Sequence, residues 1–228
     1  MRALRLILPI VMAVLVAVPV LSQFGPGRGG FGGPGALLAR KEVHKELKLT
    51  DEQIKKVDAH TQKNREKMQE LFQAGDKEKA QEGMKEIATE TEKFIKETLN
   101  ADQQKRLKQI QRQQMRAAAF TDEETAKELK LTDEQKDGIK KINEDMRAEM
   151  RDAFQGVDFQ DQEARQAAQK KVQGIQKEAM DKVTKMLTPE QKKTWKELTG
   201  DPFDLPPGGG FGKGKGGFGK GVKDKSKE

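Results

Sequence analysis

His44 and His60 are the only imidazoles in a 228-residue chain that has no cysteine and no tyrosine. Without a thiol, a cysteine nucleophile, a zinc ribbon and an iron–sulfur centre are all excluded. The two histidines stand 16 positions apart, and neither has a partner at ligand spacing. Glu42, His44 and Glu46 alternate by two, which on a helix sends them to different faces. Both histidines therefore read as solvated surface residues. Carboxylates pair at Asp51/Glu52 and Asp133/Glu134, but at positions that suit the first turn of a helix, where they complement the dipole. No catalytic, cofactor-binding or metal-ligating set emerges, and the chain reads as a non-enzyme without a cofactor.

The remaining chemistry is soft and apolar. Methionine is flexible and polarisable, so it suits surfaces that repack around varied partners, and equally fills gaps in a loose core. Met68, Phe72, Met84, Phe94, Met146, Met150 and Phe154 are the candidates for a surface that holds other polypeptides. Phe120 and Phe159 suit either a core or such a surface.

An internal repeat positions these residues. KELKLTDEQ occurs at Lys45–Gln53 and again, identically, at Lys127–Gln135, an offset of 82. A related motif follows each copy: Leu99, Asn100 and Gln103 in LNADQ, then Leu187, Thr188 and Gln191 in LTPEQ. In Leu49-Thr50-Asp51-Glu52-Gln53, Thr50 suits the N-cap and Gln53 the third helical position, which makes a capping box. Leu49 before the cap can staple onto Ile54. Leu131, Thr132 and Gln135 repeat the scheme with Lys136 in place of the apolar staple partner, and Pro189 after Thr188 suits the first helical position. All four motifs read as helix starts.

Helical periodicity follows the caps. Ala80, Met84, Ile87, Thr91, Phe94 and Thr98 step by four and three, a seam like that of a coiled coil. Ile139, Ile142 and Met146 begin a second stripe, and Val172, Ile175, Ala179 and Val183 a third. Residues 51–73 are poorer in apolar positions. Breaks fall at 74–76 and 156–161, where Gly75 and Gly156 interrupt the pattern. The fold class is all-α: two duplicated modules of long antiparallel helical hairpins, over 36–119 and 120–200, flanked by disordered Gly-rich segments. Thin hairpins bury little surface per residue, so they require dimerisation or docking of one module on the other.

Charge separates the ends from the middle. The chain has 44 Lys and Arg against 37 Asp and Glu, but residues 29–207 hold 35 of each. Arg2 and Arg5 precede an apolar run from Leu6 to Leu21, and Val20 and Ser22 suit cleavage before Gln23. That run is short of the roughly 20 residues a membrane helix needs, and Pro9 and Pro19 interrupt it. Residues 1–22 thus read as a signal peptide for export. Residues 23–35 form a Gly/Phe-rich flexible segment. Pro202, Pro206 and Pro207 mark the end of the folded part, and 201–228 read as a disordered tail ending in a Gly/Lys-rich tract. The tail suits an anionic surface, with no specific nucleic acid as partner.

Four Leu-Thr-x-x-Gln-like motifs in an exported, helical, cysteine-free chain resemble the LTxxQ-motif family of bacterial periplasmic proteins, which includes the Spy and CpxP stress proteins. Thr50/Gln53, Thr132/Gln135 and Thr188/Gln191 match in full, and the motif at Leu99 has Asn100 in place of Thr. The resemblance implies a periplasmic or cell-envelope protein with a cradle of bent hairpins. Such a cradle holds unfolded client proteins without ATP, or docks on an envelope sensor protein. Members of that family pair as homodimers; four motifs in one chain suggest a cradle closed within it. Two other expectations stand beside this one: a structural envelope protein tethered by its basic tail, and a regulatory metal or stress sensor.

Overall fold

The computed structural model describes residues 33–73 and 75–205. The expected leader, most of the first Gly tract and the tail from residue 206 lie outside the described residues. Within them the fold is all-α, with no strand. The helices run in the order α1 (Pro34–Leu38), α2 (Lys41–Glu46), α3 (Asp51–Gln73), α4 (Lys77–Thr98) and α5 (Ala101–Met115). A 3₁₀ segment, Arg116–Thr121, leads into α6 (Glu123–Glu128), α7 (Asp133–Phe154), α8 (Gln162–Met186) and α9 (Pro189–Thr199). None of the described helices is long and apolar enough to cross a membrane.

Each of the four motifs starts a helix with a complete capping box. Thr50 Oγ1 accepts from the Gln53 N–H at 3.2 Å while Gln53 Oε1 accepts from the Thr50 N–H at 3.0 Å. Thr132 with Gln135 and Thr188 with Gln191 repeat this geometry. Asn100 does so with its amide oxygen, 2.9 Å from the Gln103 N–H, so the change from Thr costs the cap nothing. The glutamines also join the motifs in pairs. Gln53 Nε2 donates to Gln103 Oε1 at 2.8 Å and to the Thr98 carbonyl at 2.8 Å. Gln135 does the same with Gln191 Oε1 and the Met186 carbonyl, at 2.8 Å each. A motif that locally only begins a helix thereby fixes two helix starts against each other.

The repeated KELK stretch ends α2 and α6 in the same way. The Leu49 N–H reaches the His44 carbonyl at 3.0 Å, and the Lys48 N–H the Lys45 carbonyl at 3.1 Å. Leu131 with Ala126 and Lys130 with Lys127 reproduce both bonds at 3.0 Å. This is a Schellman ending, which needs a left-handed residue just past the helix. Lysine fills that place in both copies, Lys48 at φ 50° and Lys130 at φ 51°.

The long helices pair antiparallel as α3 with α4 and α7 with α8. Lys63 and Lys67 on α3 reach Glu90 and Glu86 on α4, and Leu71 lies against the backbone of Gly83. Two apolar cores form at the other ends of these pairs. One gathers Leu38, Val43, Val57, Leu99, Leu107 and Ile110. The second gathers Phe120, Leu129, Leu131, Ile139, Val183 and Leu187. In α3 only Val57 is buried, which agrees with its sparse apolar pattern.

Three boundaries move. Helix α1 begins at Pro34, inside the segment expected to be flexible, because Pro suits a first helical position and Leu37 and Leu38 bury into the first core. The second core reaches back to Ala117, before the expected boundary at 120, since the 3₁₀ segment turns Ala117 and Phe120 inward together. Folded chain also continues past residue 200. Phe203 and Leu205 pack on the first core, and the Phe203 N–H donates to Gln113 Oε1 at 2.8 Å. That return path brings α9 onto α5. Arg112, only 7% exposed, crosses the joint to Glu128 at 2.5 Å and Thr125 Oγ1 at 3.3 Å. The thin hairpins are thus supported by docking within the chain.

Candidate functional site

The methionine and phenylalanine candidates separate into three places. Met68, Phe72, Met84 and Phe94 line one open groove of about 600 Å³ between α3 and α4. Phe72 is 64% exposed at its outer end, a large cost in water for an aromatic ring. Helix α1 lies against the inner end, where Gly35 packs under the Thr91 side chain. Met146, in contrast, packs against the second core and is structural. Met150 is half-buried on α7. Phe154 and Phe159 stack at 6.1 Å around the α7–α8 turn and remain 37% and 56% exposed.

Both histidines differ from expectation. His44 is 7% exposed, and its Nε2 donates to the Leu38 carbonyl at 2.5 Å, because α1 folds back over α2. His60 lies in the groove wall, stacked flat on Phe94 with ring centroids 4.1 Å apart and planes 1° from parallel. Neither is a solvated surface residue. Thr91 donates its hydroxyl proton to the Ile87 carbonyl at 2.7 Å, so its oxygen accepts from Asn64 Nδ2 at 3.1 Å. His60 Nε2 lies 3.0 Å from Asn64 Nδ2 and 3.1 Å from Thr91 Oγ1, so it accepts from the amide or donates to the hydroxyl oxygen according to its tautomer. Burial holds the His60 pKa below its ordinary value; Glu90 opposes that shift and Lys63 adds to it. Asn64 Oδ1 is buried without a partner.

The repeat supplies an internal comparison. At the offset of 82, His60 and Asn64 correspond to Ile142 and Met146. At the offset of 88 that relates Leu99 to Leu187, Thr91 corresponds to Ala179. Ile142, Met146 and Ala179 pack together on the second core, and the space between α7 and α8 there is about 30 Å³. The first hairpin therefore replaces an apolar layer with an imidazole, an amide and a hydroxyl, and opens where its duplicate is closed. Charge differs too: Asp145, Glu149, Glu178 and Lys182 flank the narrow site, with Lys182 paired to Glu178, whereas Arg65 and Lys85 are the charged side chains on the described groove wall.

No family model, curated protein or solved structure matches this chain.

Four of the groove's apolar residues follow from the sequence, and Thr91 follows as a seam position, but the polar roles of His60, Asn64 and Thr91 and the placing of Arg65 and Lys85 do not. One signal for the polar trio was present. Aligning the two modules beyond the nine identical residues sets His60, Asn64 and Thr91 against apolar residues.

Proposed function

We propose that the protein is an exported, ATP-independent chaperone-like or envelope-stress adaptor protein of the LTxxQ-motif kind, and that the α3–α4 groove is its client-holding surface. The observation that carries this reading is the gathering of Met68, Phe72, Met84 and Phe94 along one open, largely apolar groove. Thioether and aromatic side chains with free faces can repack around unlike partners. The complete, paired capping boxes support the motif assignment, and the arginine and lysine at the rim attract client segments before apolar contact. Export follows from the leader and gives such a protein a compartment without ATP.

The test is light scattering of a chemically denatured, aggregation-prone client in the absence of nucleotide. Suppression near stoichiometric amounts is expected. Unchanged aggregation at a tenfold excess of the protein would remove the client-holding role.

A further inference from the structure

We propose that the α3–α4 groove is also a binding site for a single-chain anionic amphiphile, a carboxylate carrying an alkyl chain. Its volume of about 600 Å³ lies within the range of small-molecule sites, roughly 300–1,000 Å³. Such sites combine an apolar wall with a few polar groups that orient the ligand. Val57, Met68, Met84 and Phe94 supply the apolar wall here. Helix α1 stands across the inner end, which favours a ligand of finite length over a polypeptide running through.

The charges choose the head group. Among the described residues of the groove wall, the ionised side chains are Arg65 and Lys85, and neither is in an ion pair. On the sealed edge of the same hairpin, Lys63 and Lys67 are both matched by Glu90, and Lys67 also by Glu86. Two unmatched cations beside an apolar slot complement one carboxylate with an alkyl tail. The duplicate hairpin argues that this is not a generic product of the architecture. Its corresponding space is filled by Ile142, Met146 and Ala179 and flanked by Asp145, Glu149 and a Glu178–Lys182 ion pair, so the one cation there is already matched.

This inference does not rest on the client-holding role, because it needs no client. The experiment is calorimetric titration of the purified protein with dodecanoate below its micelle concentration, and in parallel with dodecyltrimethylammonium. One saturable dodecanoate site per chain is expected, with no comparable site for the cation. Arg65→Gln/Lys85→Gln, at exposed positions, should weaken dodecanoate by about tenfold or more. His60→Ile/Asn64→Met/Thr91→Ala installs the residues of the duplicate and should abolish binding. Absence of a saturable site, equal binding of the two detergents, or full affinity in either variant would overturn the proposal.

Discussion

Gln53 and Gln103, fifty positions apart, exchange side-chain amide hydrogen bonds at 2.8 and 3.1 Å. Each also closes the capping box of its own helix, and Gln103 donates further to the Leu47 carbonyl at 3.2 Å. Gln135 and Gln191 repeat the exchange at 2.8 and 2.9 Å. The repeated motif therefore works as a clamp between two helix starts as well as a cap on each.

Removing one member should strand its partner. Gln53→Ala loses a cap contact and leaves the Gln103 amide, 8% exposed, short of a bond. A loss of about 2–3 kcal/mol is expected for either single alanine variant. The double variant should cost less than the two single losses combined, by about 1 kcal/mol. Urea denaturation of all four proteins measures this, and strict additivity would show that the paired amides do not interact.

The two left-handed lysines offer a gain. A side chain at φ near 50° carries local strain that glycine avoids. Lys130→Gly should stabilise the chain by about 0.5–1 kcal/mol after the entropy cost of a more flexible unfolded chain. Lys48→Gly should behave alike. A loss in both would mean that these lysine side chains make a contribution that outweighs the strain.

What was legible in the sequence divides along the same line. Thr50, Asn100, Thr132 and Thr188 were readable as caps because a cap is decided within four residues. The pairing of Gln53 with Gln103 was not, since it depends on where a second hairpin end lands. His60 is illegible for that reason, since Phe94, which covers it, stands 34 positions away. His44 is covered from only six positions away, but by a helix that begins inside the segment expected to be flexible. Met84 and Met146 obey the same helical spacing, yet one lines a groove and the other packs on a core. Helical period identifies an inward face, but only tertiary packing decides whether that face is filled.

His60 should make stability pH-dependent. Burial holds its folded pKa below the ordinary 6.5, partly opposed by Glu90 and reinforced by Lys63. As pH falls, the unfolded chain takes up the proton before the folded one. The stability held by the neutral ring is therefore complete above about 6.5 and is lost as pH falls toward the lower folded value. Thermal melts between about pH 7.5 and 5.5 should show a decline in the wild type that His60→Gln flattens. Parallel profiles would contradict this.

The polar trio in the groove should cost stability. Asn64 Oδ1 is buried and unpartnered, and the same layer in the duplicate is apolar. His60→Ile/Asn64→Met/Thr91→Ala should raise unfolding free energy by about 1–2 kcal/mol, read by urea denaturation. A marked decrease would show that the cluster is structural.

Client holding through the groove is tested most directly by comparing two variants in the aggregation assay. Met68→Ser/Phe72→Ser alters the groove at exposed positions, and Phe154→Ser alters the exposed ring at the other hairpin tip. Suppression should fall by several-fold in the groove variant and stay near the wild-type level in the tip variant. Full suppression by the groove variant, with both proteins equally folded, would contradict the assignment of the groove as the client-holding surface.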